Sequence, residues 1–292
     1  MKKRIDLHVH STASDGTFAP AELVTLARKQ GLSAFALTDH DSTEGLEEAL
    51  NASKDSDIEV IPGVELSTEY NGTEIHVVGL FIDWQYQPFA EHLRNFRDCR
   101  DNRNIKMLER LQEEGFHIKE QDLHDKFGDC VMTRAHIARY LVDTRQVPEL
   151  SIVFNEYIGN GCKCYVDRPK VSPVEAVKLI HQAGGIAILA HPCLYKLKET
   201  ELLSMLEAMC AVGLDGIEAI YSCNKSNDEA YYSSLAEKYH LAISGGSDFH
   251  GSNKPDIQLG SGKGNLEIPY ELLEKLRKKY ENHKTNAGIL YR

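Results

Sequence analysis

The sequence predicts an α/β fold, a barrel of seven strands carrying a helical insertion, and three observations lead to it. Short apolar runs alternate with amphipathic helical stretches, the pattern of parallel strands joined by crossover helices. Nearly every apolar run leads into a histidine or a carboxylate, and in a parallel barrel the C-terminal ends of the strands share one working face. Between residues 85 and 165 the alternation stops, so this stretch reads as a helical cap inserted into a barrel built from residues 1–84 and 166–292.

Each element follows from its local pattern. "RIDLHVH", from Arg4, is the first strand: Ile5, Leu7 and Val9 alternate with Asp6, His8 and His10, which brings both imidazoles to one side. A helix opens at Pro20 in "PAELVTLARKQG" and closes at Gly31, because proline suits the first helical turn and glycine the position just past the last. "SAFALTDH" is the second strand, followed by a helix from about Thr43 in "STEGLEEALNAS". The third and fourth strands are "IEVIPGVEL" and "EIHVVGLFID". The insertion carries helical patterns in "FAEHLRNFRDCRDNRNIKMLERLQEEG" and "MTRAHIARYLVD". Beyond it come strands "GGIAILAH", "LDGIEAIY" and "LAISGGSDFH", with helices "SPVEAVKLIHQAG", "ETELLSMLEAMCAVG" and "NDEAYYSSLAEKYH" between and around them. No fixed-period repeat or low-complexity linker divides the chain.

Composition narrows the class. At 292 residues, 42% of them hydrophobic and 26% charged, the chain is long enough for a full globular core. The longest apolar run, "GIAILA" at 185–190, is far short of a membrane span, and "MKKR" leads into "IDLHVHS" instead of the apolar segment of an export signal. Seven cysteines without a pairing framework fit a reducing compartment, so a cytoplasmic location is expected. A net charge of −11 disfavours long duplex nucleic acid, which needs an extended basic surface, and still allows a small anionic substrate in a local site.

The polar residues at the strand ends carry the chemistry. His8 and His10 end the first strand, His40 the second and Glu65 the third, while His191 follows the fifth and Asp248 and His250 the seventh. His76 alone stands at the head of its run. With Asp15, these nine nitrogen and oxygen donors include no cysteine, exceed what one ion needs, and suit borderline divalent metals such as zinc, manganese or iron. Asp39 and Asp41 flank His40 and read as supports that fix an imidazole or a loop. No serine stands in a nucleophile elbow and no cysteine in a signature turn, so a metal-activated hydroxide is the simplest nucleophile.

In order and spacing, "DLHVHSTASDG", "LTDHD", "PGVELS", "EIHVVG", "AHP" and "GGSDFHG" resemble the motifs of the PHP (polymerase and histidinol phosphatase) superfamily of metal-dependent phosphoesterases, from residue 4 to about residue 265. Within it, "TRAHIARYL", "CYVDRPKVSPVEAVKLIHQAGGIAILAHP" and "GLDGIEAIYS" resemble the branch that acts on nucleoside 5′-monophosphates and 3′,5′-bisphosphates, or on RNA from its 5′ end. The resemblance implies a distorted (β/α)7 barrel and a centre of two to three divalent ions, manganese, zinc or iron. It further implies that His8, His10, Glu65 and Asp248 hold one ion, that Glu65 is shared with a second held by His76 and His191, and that Asp15, His40 and His250 hold a third. Glu65, His191 and Asp248 would then be central to catalysis.

A cap over an anionic ligand needs cations. Arg134 and His136 open the helix of "TRAHIA", where a guanidinium, an imidazolium and free N–H groups can meet a phosphate. Arg94, Arg97, Arg100 and Arg103 recur every third residue; the first two read as a solvated stripe, whereas Arg100, Arg103 and Asn104, in an "RDNRN" that family members resemble, read as binding residues, with Lys163 as a further cation. "GCKCY" places Cys162 and Cys164 in a loop without the second pair of a zinc site, and "GSGKG" at 260–264 lacks the full phosphate-loop frame and reads as a turn.

The expected activity is hydrolysis of the phosphate of a small nucleotide. The alternatives are a 5′→3′ exoribonuclease on short 5′-phosphorylated RNA, a catalytically inactive barrel serving as a binding module, and a histidinol-phosphate phosphatase. Nine filled donor positions argue against the inactive module, and the acidic charge with few aromatics in the insertion favours a mononucleotide over RNA. The expected partner is therefore a small nucleotide or short RNA, with no membrane; the oligomeric state is not legible.

Overall fold

The computed structural model describes residues 3–167 and 170–290; Met1, Lys2, Arg168, Pro169, Tyr291 and Arg292, which the sequence reading assigned to the barrel, lie outside the described residues. The seven expected strands form: β1 (Arg4–Val9), β2 (Leu32–Leu37), β3 (Glu59–Tyr70), β4 (Thr73–Leu80), β5 (Ile186–Leu189), β6 (Gly216–Tyr221) and β7 (Ala242–Gly246). They lie in chain order across one sheet, and a bridge between Val9 and Phe249 brings β1 to β7, so the sheet is nearly closed into a barrel. At this seam His10 N–H donates to the Phe249 carbonyl at 3.0 Å and Asp248 N–H donates to the His8 carbonyl at 2.9 Å.

The helices in chain order are α1 (Pro20–Lys29), α2 (Leu46–Ser53), α3 (Gln87–Glu113), α4 (Glu120–Phe127), α5 (Arg134–Asp143), α6 (Leu150–Ile152, continuing as a π-helical turn over Val153–Ile158), α7 (Pro173–Gln182), α8 (Glu199–Ala211), α9 (Asp228–Lys238) and α10 (Tyr270–Leu290). α2 starts at Leu46 instead of near Thr43, because the Thr43 carbonyl is taken up in a turn that accepts the Leu46 N–H at 3.1 Å. α3 to α6 share an apolar cluster of their own, including Met107, Leu111, Leu123, Ile137 and Val153. They meet the barrel through Phe89 and Leu93 of α3, which join the main barrel core, and through polar contacts such as Arg97 with Glu44 and Thr133 with Asp15.

One strand departs from the parallel expectation. β4 runs antiparallel to both β3 and β5. Asn71 and Gly72 adopt left-handed backbone, at φ 50° and 74°, which is the geometry of a two-residue hairpin whose twist matches its strands. "YNGT" carries that signal. The reversal sets His76 opposite Ser67, near the C-terminal end of β3, and so delivers His76 to the working face from the head of its strand.

α10 was not anticipated from the sequence. Its Leu272, Leu273 and Leu276 pack with Ile5, Leu7, Ile186 and Ile188 in one buried cluster, and the segment leading into it pairs with the start of β1. α10 thus closes the barrel floor, each leucine contributing about 1.5–3 kcal/mol by burial. On β3 and β4 the same side of the strand that contributes Ile61 and Val78 to this cluster carries Glu65 and His76, two or more residues along.

Candidate metal centre

Glu65 is the hub of the polar layer. Oε1 stands 2.9 Å from His76 Nδ1, 2.9 Å from His191 Nε2 and 3.3 Å from His8 Nε2. Oε2 stands 3.0 Å from His40 Nδ1 and 3.3 Å from His10 Nε2. Asp248 Oδ1 lies 3.4 Å from His10 Nε2 and 3.3 Å from His250 Nδ1, and Asp15 Oδ1 lies 3.2 Å from His250 Nε2. All nine predicted donors therefore converge, in overlapping groups able to hold an ion: His10, Asp15, His40 and His250; His8, Glu65 and His191; His8, His10 and Asp248; His40, Glu65 and His76. Of the expected partition, Asp15, His40 and His250 recur as one group joined by His10, and His8, His10 and Asp248 recur without Glu65, whereas His76 and His191 fall in separate groups, the first with Glu65 and His40 and the second with Glu65 and His8.

The donor atoms fit metal ions on their own account. Among the described residues, His8 Nε2, His10 Nε2, His40 Nδ1, Asp15 Oδ1 and Glu65 Oε2 are buried without a hydrogen-bond partner. Burying such atoms unpaired is costly, and a coordinated cation removes the cost. Burial pushes the Glu65 carboxyl up, but the surrounding imidazoles of His76, His8 and His40 outweigh it and hold the group well below the carboxylate range. In turn, burial pushes His8, His10 and His76 down while Glu65 and its neighbours pull them up, His10 and His76 to about 9. A divalent ion would replace these protons, because ligand imidazoles are neutral. His250 is already neutral: burial and the Lys254 ammonium lower it to about 4, and with Nδ1 donating to the Asp248 carbonyl at 2.9 Å its Nε2 lone pair faces Asp15.

Strained backbone gathers here. Asp41, His191 and Asp248 have φ of 49°, 24° and 58°, a region that residues other than glycine seldom occupy and that clusters at functional sites.

Residues 6–144 match the family model of the PHP domain. A 5′-3′ exoribonuclease of Haemophilus influenzae is 38% identical over 251 residues, which cover 86% of this chain and 91% of the relative. A 3′,5′-nucleoside bisphosphate phosphatase of Chromobacterium violaceum is 33% identical over 264 residues, 88% of this chain and 90% of the relative. This chain belongs to the PHP domain family. A solved structure from Bifidobacterium adolescentis, assigned there as a metal-dependent phosphoesterase, superposes on this PHP fold with a TM-score of 0.83 at 29% identity, covering 94% of this chain and 95% of that one.

Several residues that support the PHP centre escaped sequence reasoning. Glu218 on β6 is buried; its Oε1 accepts from His8 Nδ1 at 3.1 Å and its Oε2 accepts from the His191 N–H at 2.7 Å. It thereby fixes the His8 ring with Nε2 turned to the cluster, and it holds the His191 backbone in its unusual conformation. The available signal was an acid between Ile217 and Ala219 in an otherwise apolar strand. Gly246 permits this packing, since a Cβ there would lie 2.2 Å from His8 Cβ and 2.9 Å from Glu218 Oε1. Lys254 Nζ and Tyr221 OH both donate to Asp248 Oδ2, at 2.6 and 2.7 Å. Glu74 receives Arg134 Nη2 at 2.7 Å and Lys170 Nζ at 3.3 Å and sits 3.3 Å from His76 Nε2. Asp39 and Asp41 prove to organise loops: Asp39 accepts from the Ser11 N–H at 2.8 Å and from Ser14 Oγ, and Asp41 accepts from the Ser67 N–H at 2.8 Å.

The predicted phosphate-binding residues divide. Arg100 and Arg134 line a cavity of about 300 Å³ that lies against His40, His76 and His250. Arg100 is held there by Asp41 and by Ser67 Oγ. Arg103 and Asn104 do not line this cavity; Arg103 Nε donates to Asn104 Oδ1, and Asn104 Nδ2 donates to the Met132 carbonyl at 2.8 Å, which fastens α3 to the loop before α5. His136 is also outside it. Its Nδ1 accepts the Thr133 N–H at 3.0 Å, the reciprocal half of a capping box in which the Thr133 hydroxyl caps α5, and burial holds it below its ordinary pKa, neutral instead of the expected imidazolium. Lys163 is solvent-facing and paired with Glu114. Among the described residues neither Cys162 nor Cys164 joins a metal-type group, and the 260–264 segment is a turn whose Gly260 N–H donates to Asp6 at 2.8 Å.

Proposed function

We propose that this protein, a phosphoric ester hydrolase of the PHP family, removes phosphate from a small nucleotide, a nucleoside 5′-monophosphate or 3′,5′-bisphosphate, at the cluster centred on Glu65. The reading is carried by the cavity of about 300 Å³ between that cluster and α5, a volume at the small end of ligand sites. Its lining joins cations, Arg100, Arg134 and Lys254, to the imidazoles of the cluster, and Phe154 supplies an aromatic face for a base. The nine donors would hold two to three divalent ions, manganese, zinc or iron, which when bound supply an activated water and positive charge around the phosphoryl oxygens.

The chain's own groups do the rest. Glu65 and Asp248 are kept ionised by their neighbours and can balance the charge of the ions. Lys254 and Tyr221 hold Asp248 in place, and Glu218 orients His8. Arg134, paired with Glu74 beside the cavity, exchanges that partner for a substrate phosphate. Residues 85–165 act as the cap that encloses the nucleoside, and the remainder as the barrel. Among the described residues no helix is long and apolar enough to cross a membrane; the seven cysteines, all free, support the reading of a reducing, cytoplasmic location.

A second reading, a 5′→3′ exoribonuclease on short 5′-phosphorylated RNA, is favoured by the Haemophilus influenzae relative at 38% identity. The two are separated by kcat/KM for adenosine 5′-monophosphate, adenosine 3′,5′-bisphosphate, a 5′-phosphorylated dinucleotide and histidinol phosphate at low and high salt. The bisphosphate is expected to lead and histidinol phosphate to trail, with the gap narrowing as salt screens the guanidinium contacts. A leading dinucleotide would establish the exonuclease reading; a leading histidinol phosphate would overturn both.

A further inference from the structure

A second convergence of ligand atoms lies on the barrel floor, at the end of the strands away from the Glu65 cluster. Asp215 enters β6 there, buried, and is locked by the backbone: its N–H donates to the Ala187 carbonyl at 3.0 Å and its own carbonyl accepts from the Ala242 N–H at 2.8 Å. Its carboxylate faces outward to two imidazoles. Oδ2 stands 2.8 Å from His181 Nε2, at the end of α7, and accepts the Ala187 N–H at 2.9 Å. Oδ1 stands 2.8 Å from His283 Nε2, on α10. Gly213 leaves room for the His181 ring, since a Cβ there would come within 3.2 Å of Cε1.

We propose that His181, Asp215 and His283 form a further metal site, for zinc or a similar borderline divalent cation, that fastens α10 to the barrel floor. The donor atoms all lie within 4.8 Å of one another. Their nitrogen–oxygen separations of 2.8 Å are close to those around Glu65, where His76 and His191 stand at 2.9 Å. Bonds of about 2.0–2.2 Å to a tetrahedral ion would need these side chains to part by about half an ångström. His283 can make that move, because its side chain is 37% exposed, and the exposed edges of both rings leave the remaining coordination positions to water. Two imidazoles and one carboxylate select zinc, cobalt or nickel over magnesium and calcium, which take oxygen ligands. Lys279, one turn before His283, is engaged with the His240 carbonyl at 2.9 Å.

The test is equilibrium dialysis of the full chain at fixed free zinc, with the metal counted per chain, for the wild type, His283→Ala and His181→Ala. Each variant is expected to bind one zinc fewer, His283→Ala with unchanged phosphate release, and the rise of Tm with zinc should be smaller than in the wild type. Equal zinc counts in wild type and both variants would overturn the proposal. So would a lower Tm with an unchanged count, which would make the trio a hydrogen-bonded clasp only.

Discussion

Glu65→Gln is expected to lower kcat/KM by about 10²–10⁴-fold at saturating metal, with the circular dichroism of the fold unchanged. Imidazoles surround both carboxylate oxygens, His8, His76 and His191 within 3.3 Å of one and His10 and His40 within 3.3 Å of the other. Glutamine keeps the shape and removes the charge. Deleting one partner from a buried ionic cluster costs about 3–5 kcal/mol, because the remaining charges stay buried without compensation. The same loss weakens every group of donors that shares Glu65, so metal per chain should fall together with turnover. Near wild-type kcat/KM in this variant would contradict the role given to Glu65.

Arg134→Ala is expected to raise KM for the phosphorylated substrate about 10–100-fold, as one charge-assisted hydrogen bond of about 1.5–3 kcal/mol is lost, and to leave metal content as it was. Arg134 sits beside the cavity on the far side of Glu74 from His76, touching none of the nine donors. Steady-state kinetics with parallel metal analysis reads both outcomes. A variant that loses metal would show that Arg134 serves the centre through Glu74 and does not bind phosphate.

Much of this was legible in the sequence, for physical reasons that also mark where legibility stopped. Strands of a barrel must be apolar and must deliver polar groups at one end, so apolar runs that mostly lead into a histidine or an acid announced the fold and most of the residues that gather around Glu65. The reversal of β4 was written in "YNGT", a hairpin signal, and recognising it would have explained why His76 heads its run. Glu218 left only a faint trace, because a single acid in a buried strand does not say which imidazole it meets 210 positions away. The arginines and His136 show a different limit. Position on a helix says that a cation is present; only packing decided that Arg100 faces the cavity while Arg103 clasps Asn104 and His136 completes the capping box of α5.

The measurement that addresses the central claim most directly is an anomalous difference map from crystals of this protein grown with manganese, collected on both sides of the metal's absorption edge. The account predicts at least two peaks within coordination distance of the Glu65 carboxylate and its imidazoles, with Asp248 and Asp15 each bordering one. Peaks confined to other places, or no peak bonded to Glu65, would contradict it.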